Sequence, residues 1–67
     1  MEEVVIDYTN WRGIRSERKI VPRCIAFGST DHHPDPQWLL VAEDVVKGVR
    51  RIFAMNSIHS WRCLSAS

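Results

Sequence analysis

Gln37-Trp38-Leu39-Leu40-Val41-Ala42-Glu43-Asp44-Val45-Val46-Lys47-Gly48-Val49-Arg50-Arg51-Ile52-Phe53 reads as two strands around a turn. Residues 38–45 are mostly apolar, Lys47-Gly48 supplies turn chemistry, and residues 50–55 combine charge with apolar bulk. Working outward, residues 4–9 (Val-Val-Ile-Asp-Tyr-Thr) form another strand. Its alternation puts Val4, Ile6 and Tyr8 on one face and Val5, Asp7 and Thr9 on the other. Asn10-Trp11-Arg12-Gly13 follows as a hairpin loop in which Gly13 is free to take positive φ. Residues 14–21 make a second strand and residues 23–27 a third, with Pro22 marking a bend or a sheet edge between them. The second strand is polar on most positions, so one of its faces must meet water or a ligand.

The spacing predicts five antiparallel strands, at 4–9, 14–21, 23–27, 38–45 and 50–55, curled into a small all-β barrel. Asn56-Ser57 is expected to cap a short closing turn that buries Ile58, Trp61 and Leu64 at helix-like spacing, with a short final strand as the competing reading. Between the third and fourth strands lies Ser-Thr-Asp-His-His-Pro-Asp-Pro-Gln, residues 29–37. Two prolines stiffen this loop and push His33 and Asp35 toward extended geometry. It is long for a connection in so small a domain, and such loops tend to carry function.

Sixty-seven residues make one domain, 1–67, with a thin core. A chain this short buries only about 60% of its unfolded surface, which favours oligomerisation, so a homo-oligomer is expected. The composition, 45% hydrophobic and 25% charged, is that of an ordinary globular domain. A formal net charge of +1 lacks the bulk excess of a general nucleic-acid binder. The distribution says more: seven of the nine basic residues are arginine, and Arg12, Arg15, Arg18 and Arg23 crowd with Lys19 into the first third. Arginine's planar fork suits phosphate or carboxylate, while the plain alternative is a solvated strand face with cross-strand ion pairs. No apolar run approaches the ~20 residues of a membrane span. The acidic start lacks the positive region of a signal peptide. Cys24 and Cys63 have no metal-like spacing, so a cytoplasmic protein with two free thiols is expected, Cys24 being a small core residue.

The ordered set Ile6, Tyr8, Gly13, Arg18, Pro22, Trp38, Leu40, Asp44, Gly48, Arg51 and Phe53 resembles the WYL domain, a small Sm-like (SH3-type) β-barrel. The likeness runs over roughly residues 4–58, with one departure at the name-giving motif, where Trp38-Leu39-Leu40 stands for Trp-Tyr-Leu. WYL domains usually sit behind a helix-turn-helix in transcriptional regulators, and this sequence carries no such segment. The resemblance implies a ligand-sensing module whose positive patch takes nucleotides or nucleic acid, with that role falling on Arg15, Arg18 and Arg51 and the family's aromatic at Trp38. Free-standing barrels of this type look like bacterial or phage products, so an anti-defence protein that soaks up a nucleotide signal is one version of this expectation.

The residues themselves favour the same chemistry. Trp11, Arg12, Arg15, Arg18 and Arg51 lie on elements that a barrel would bring together, and aromatic planes stack on bases while arginine forks hold phosphates. His32 and His33 would form a lip beside the arginines and tighten on an anion as pH falls from about 8 to 6. The run Asp31-His32-His33-Pro34-Asp35 has a metal-friendly composition, yet adjacent histidines on extended chain point to opposite sides. No nucleophile elbow and no phosphate-cradling glycine loop is present, so a non-enzymatic module without cofactor is expected. The alternative class is a protein-interaction module whose exposed strand and proline loop bind a partner chain.

Overall fold

The computed structural model describes residues 2–64 as one five-stranded antiparallel sheet. The strands are β1 (Val4–Thr9), β2 (Arg15–Gly28), β3 (Gln37–Asp44), β4 (Val49–Ala54) and β5 (Ile58–Cys63), in spatial order β4-β3-β2-β1-β5. A single 3-10 turn (Met55–Ser57) joins β4 to β5 and packs on β3. The all-β, antiparallel expectation therefore holds, with strand ends displaced by a residue or so. Among the described residues no ladder joins the edge strands β4 and β5. No helix of the described residues is long and apolar enough to cross a membrane.

Two strand assignments are corrected. The second and third strands are one continuous strand, β2, of 14 residues. Pro22 does not break it, because the first half (15–20) pairs with β1 and the second (20–28) with β3, so the proline needs no partner on the β1 side. The C-terminal segment is β5, not a helical turn: it pairs antiparallel with β1, and Trp61 and Leu64 stay exposed while only Ile58 packs on the core. The total of five strands is thus reached by merging two and adding one. A free edge on β1 is a row of unmet N–H and C=O groups, and pairing satisfies it where helix-like spacing of three apolar residues could not.

A bulge in β2 decides which side chains reach the core. Pro22 lies opposite Ala42 but Cys24 opposite Val41, so Arg23 is the extra residue. One inserted residue inverts the alternation downstream. Without it, Cys24 would follow Ile20 and Pro22 onto the inner face. With it, Cys24 faces outward and is exposed, which corrects its expected place in the core. Ile25 and Phe27 take the inner face instead, opposite Leu40 and Trp38.

The core joins Val4, Ile6 and Tyr8 of β1 to Ile20 of β2, Leu40 and Ala42 of β3 and Phe53 of β4, with Met55 and Ile58 packed against it. Val4, Ile6 and Ile20 are essentially fully buried, worth about 1.5–3 kcal/mol each in apolar transfer. Tyr8 meets Phe53 edge to face at 4.9 Å. Gly13 (φ 81°) and Gly48 (φ 68°) hold the two tight turns in the left-handed region. At the second of them Asp44 caps the turn, its carbonyl accepting from Gly48 N–H at 2.7 Å and its Oδ1 from Lys47 N–H at 3.0 Å.

Candidate functional site

Residues directly opposite in an antiparallel pair share a face. Ile6 lies opposite Arg18, so Arg18 projects to the same side as the buried Ile6 and Ile20 rather than to water. Arg51, opposite Ala42, joins that face from β4. Where the apolar core ends, these two guanidinium groups begin the lining of a cleft of about 540 Å³. Tyr8 and Phe53 supply its apolar base, and the 29–36 loop brings Thr30, His32 and His33 to one wall. The volume lies in the usual range of small-molecule sites, about 300–1,000 Å³.

Local chemistry places each wall. Asn10 is an Asx turn: its Oδ1 accepts from the N–H groups of Arg12 (2.9 Å) and Ile14 (3.0 Å), which fixes the loop that presents Trp11. In the long loop, Thr30 and His33 exchange backbone hydrogen bonds of 2.9 and 3.1 Å, and Thr30 Oγ1 accepts a third from His33 N–H. This turn aims His32 at Trp11, with the rings stacked 4.7 Å apart and 10° from parallel. Arg12 places its guanidinium 5.1 Å from the Trp11 ring centre. His33 turns inward, its Nε2 lying 3.5 Å from the Tyr8 hydroxyl, which itself accepts from Ala54 N–H at 3.2 Å.

The arginines are unequally occupied. Arg18 is largely buried, with 19% of its side chain exposed, and its nearest carboxylate oxygen, on Asp44, is 3.9 Å away. That is contact between charges without a hydrogen bond. Its Nε is buried with no hydrogen-bond partner, a costly state for a guanidinium N–H that calls for an acceptor. No hydrogen bond or ion pair among the described residues engages the guanidinium of Arg51. Arg50, beside it on the lining, lies 4.0 Å from Glu43, which Arg23 already holds at 2.6 Å.

Arg15 stands apart from this group. Three residues from Arg18 on a strand, it must face the other way. It makes a two-pronged pair with Asp7, Nε to Oδ1 at 2.9 Å and Nη2 to Oδ2 at 2.8 Å. The hydrogen bond from Arg15 holds the Asp7 carboxyl below its ordinary pKa, and the same bond raises that of Arg15. This outer face continues with Lys19–Glu3 and Arg62–Glu17 pairs, the solvated ion-pair face weighed as the plain alternative. Trp38 is also elsewhere: it sits at the tip of the β2–β3 hairpin, 55% exposed, edge-on to Phe27 at 5.4 Å.

Of the residues singled out from sequence, the cleft gathers Trp11, Arg18, His32, His33 and Arg51, with Arg12 against Trp11 at its rim; Arg15 and Trp38 are not among its lining. Tyr8, Asn10, Thr30 and Arg50 join the cleft without having been singled out for it. Asn10 and Thr30 carried a readable signal, since both are residues that bond their own backbone in turns. Among the described residues no three His, Cys, Asp or Glu side chains gather as metal ligands would. Comparison with family models, curated proteins and solved structures finds no match to this chain.

Proposed function

We propose that the chain is a non-enzymatic binding module that senses or sequesters an anionic ligand, a nucleotide or a short stretch of nucleic acid, in the cytoplasm. The observation that carries this reading is one cleft that brings Arg18, largely buried and with an Nε that lacks a hydrogen-bond partner among the described residues, and Arg51, free of ion pairs among the described residues, beside the Trp11–His32 stack. Arginine forks are matched to phosphate oxygens, and aromatic planes to bases. We also read the five-stranded sheet as an SH3/Sm-like barrel of WYL-like type. In support, β2 serves both halves of the sheet across its bulge, and Arg18 and Arg51, two of the positions that carry the resemblance, line one cleft. Residues 65–67 lie outside the described residues and take no part in the reading.

Thermal-shift screening against mono-, di- and cyclic nucleotides and short oligonucleotides tests the proposal. A ligand at 100 times its Kd should stabilise the fold by about 2.7 kcal/mol. An unshifted midpoint across the whole panel at millimolar ligand would sink it.

A second reading rests on a different surface. Ile25, Phe27 and Trp38 share the inner face beyond the end of the core, each more than half exposed. Exposed apolar clusters of this kind mark protein contacts, with a partner chain or a second copy of this one. Light scattering over a hundredfold concentration range separates a self-associating tip from a monomer.

A further inference from the structure

Burial along the cleft runs in one direction. Arg18 is largely buried and Arg51 half-buried, while Trp11 and His32 are exposed at the rim. The forks of Arg18 and Arg51 therefore sit deeper than the aromatic platform, while those of Arg12 and Arg50 stay exposed. We infer that the cleft admits its ligand phosphate first and selects a terminal phosphomonoester over a phosphodiester. This rests on the nucleotide-binding reading above and names the ligand class for that site.

A phosphomonoester carries about −1.5 to −2 charge at neutral pH and three terminal oxygens, enough to engage the part of Arg18 that reaches the cleft and the Arg51 fork together. A diester carries one charge and two free oxygens, and both its ester oxygens carry sugar carbon toward the buried end. Among the described residues, no acid takes a hydrogen bond from Arg18 or Arg51. Asp44 stands 3.9 Å from Arg18 and spends its Oδ1 on the Lys47 N–H, and the other nearby acid, Glu43, is held by Arg23. At the rim, a base meets the Trp11–His32 stack and Arg12, which together tolerate any base because every base offers a flat π face. The orientation thus reads phosphate state strictly and base identity loosely.

Calorimetry on the whole chain with four probes tests this: adenosine monophosphate, its cyclic phosphodiester, adenosine and inorganic phosphate. The monophosphate should bind at least about tenfold more tightly than the cyclic diester, the effect of one charge-assisted hydrogen bond. Arg51→Gln should erase that preference, and Trp11→Ala should weaken the monophosphate while leaving inorganic phosphate unchanged. Arg18→Gln is the stronger perturbation, but it strands Asp44, so Arg51→Gln keeps the test valid if that variant unfolds. Equal affinity for the monophosphate and the cyclic diester would overturn the phosphate-first orientation and leave nucleotide binding intact. Binding of none of the four probes would remove both.

Discussion

Removing one oxygen atom from Tyr8 should measurably loosen the whole fold. The Tyr8 hydroxyl is the acceptor for Ala54 N–H at 3.2 Å, and Ala54 is 1% exposed. In Tyr8→Phe the ring keeps its edge-to-face contact with Phe53 at 4.9 Å, so packing is nearly conserved. What changes is that a buried amide loses its acceptor, which costs about 1–3 kcal/mol. The 3.5 Å approach to His33 Nε2 is at the limit of a hydrogen bond and adds little. A loss of about 1.5 kcal/mol is a large share of the roughly 3–10 kcal/mol that a chain of this length commands. It should lower the thermal midpoint by roughly 6–12 °C. Urea denaturation measures it directly, with a lower midpoint at unchanged slope. Amide exchange at Ala54 should accelerate in parallel. A stability change below about 0.3 kcal/mol would refute the argument, showing that Ala54 N–H finds another acceptor once the hydroxyl is gone.

Four further outcomes follow from the same geometry. Arg15→Gln should leave nucleotide affinity unchanged because Arg15 faces away from the cleft, and a tenfold loss in calorimetry would move the site to the outer face. In the parent, carboxyl NMR should find Asp7 titrating below the ordinary carboxylate range because of the Arg15 hydrogen bond, and returning to that range in Arg15→Gln. A carboxyl depressed in the folded state stabilises the fold above its unfolded pKa, so this contribution is present at neutral pH and fades only as acid titrates Asp7 itself. Ile6→Ala should cost about 2–5 kcal/mol, read by circular dichroism in urea, since Ile6 is completely buried at the centre of the core. Phe27→Ser with Trp38→Ser should abolish any self-association seen by light scattering while leaving the unfolding free energy from urea denaturation within about 0.5 kcal/mol, because both side chains are exposed.

The alternation Val4/Ile6/Tyr8, the apolar run through Leu40 and the glycine turns at 13 and 48 are local signals, and each decided its own element without help from the rest of the chain. Strand character and turn geometry depend on side chains at neighbouring positions, so they are legible from sequence alone. So was the pool of candidate residues, in which Trp11, Arg18, His32, His33 and Arg51 were already named. What tertiary structure decided was which way they point and whom they meet. The bulge at Arg23 inverts the phase of half a strand, sending Cys24 out and Phe27 in; Pro22 marks an irregularity there, but not that Arg23 is the extra residue. Spacing alone puts Arg15 and Arg18 on opposite faces of their strand, but which face meets the core is set by Ile6 across the ladder, and that gives Arg15 to Asp7 and Arg18 to the cleft. The last strand likewise forms because β1 offers a free edge 50 residues and more away in sequence, a partner that no local window contains.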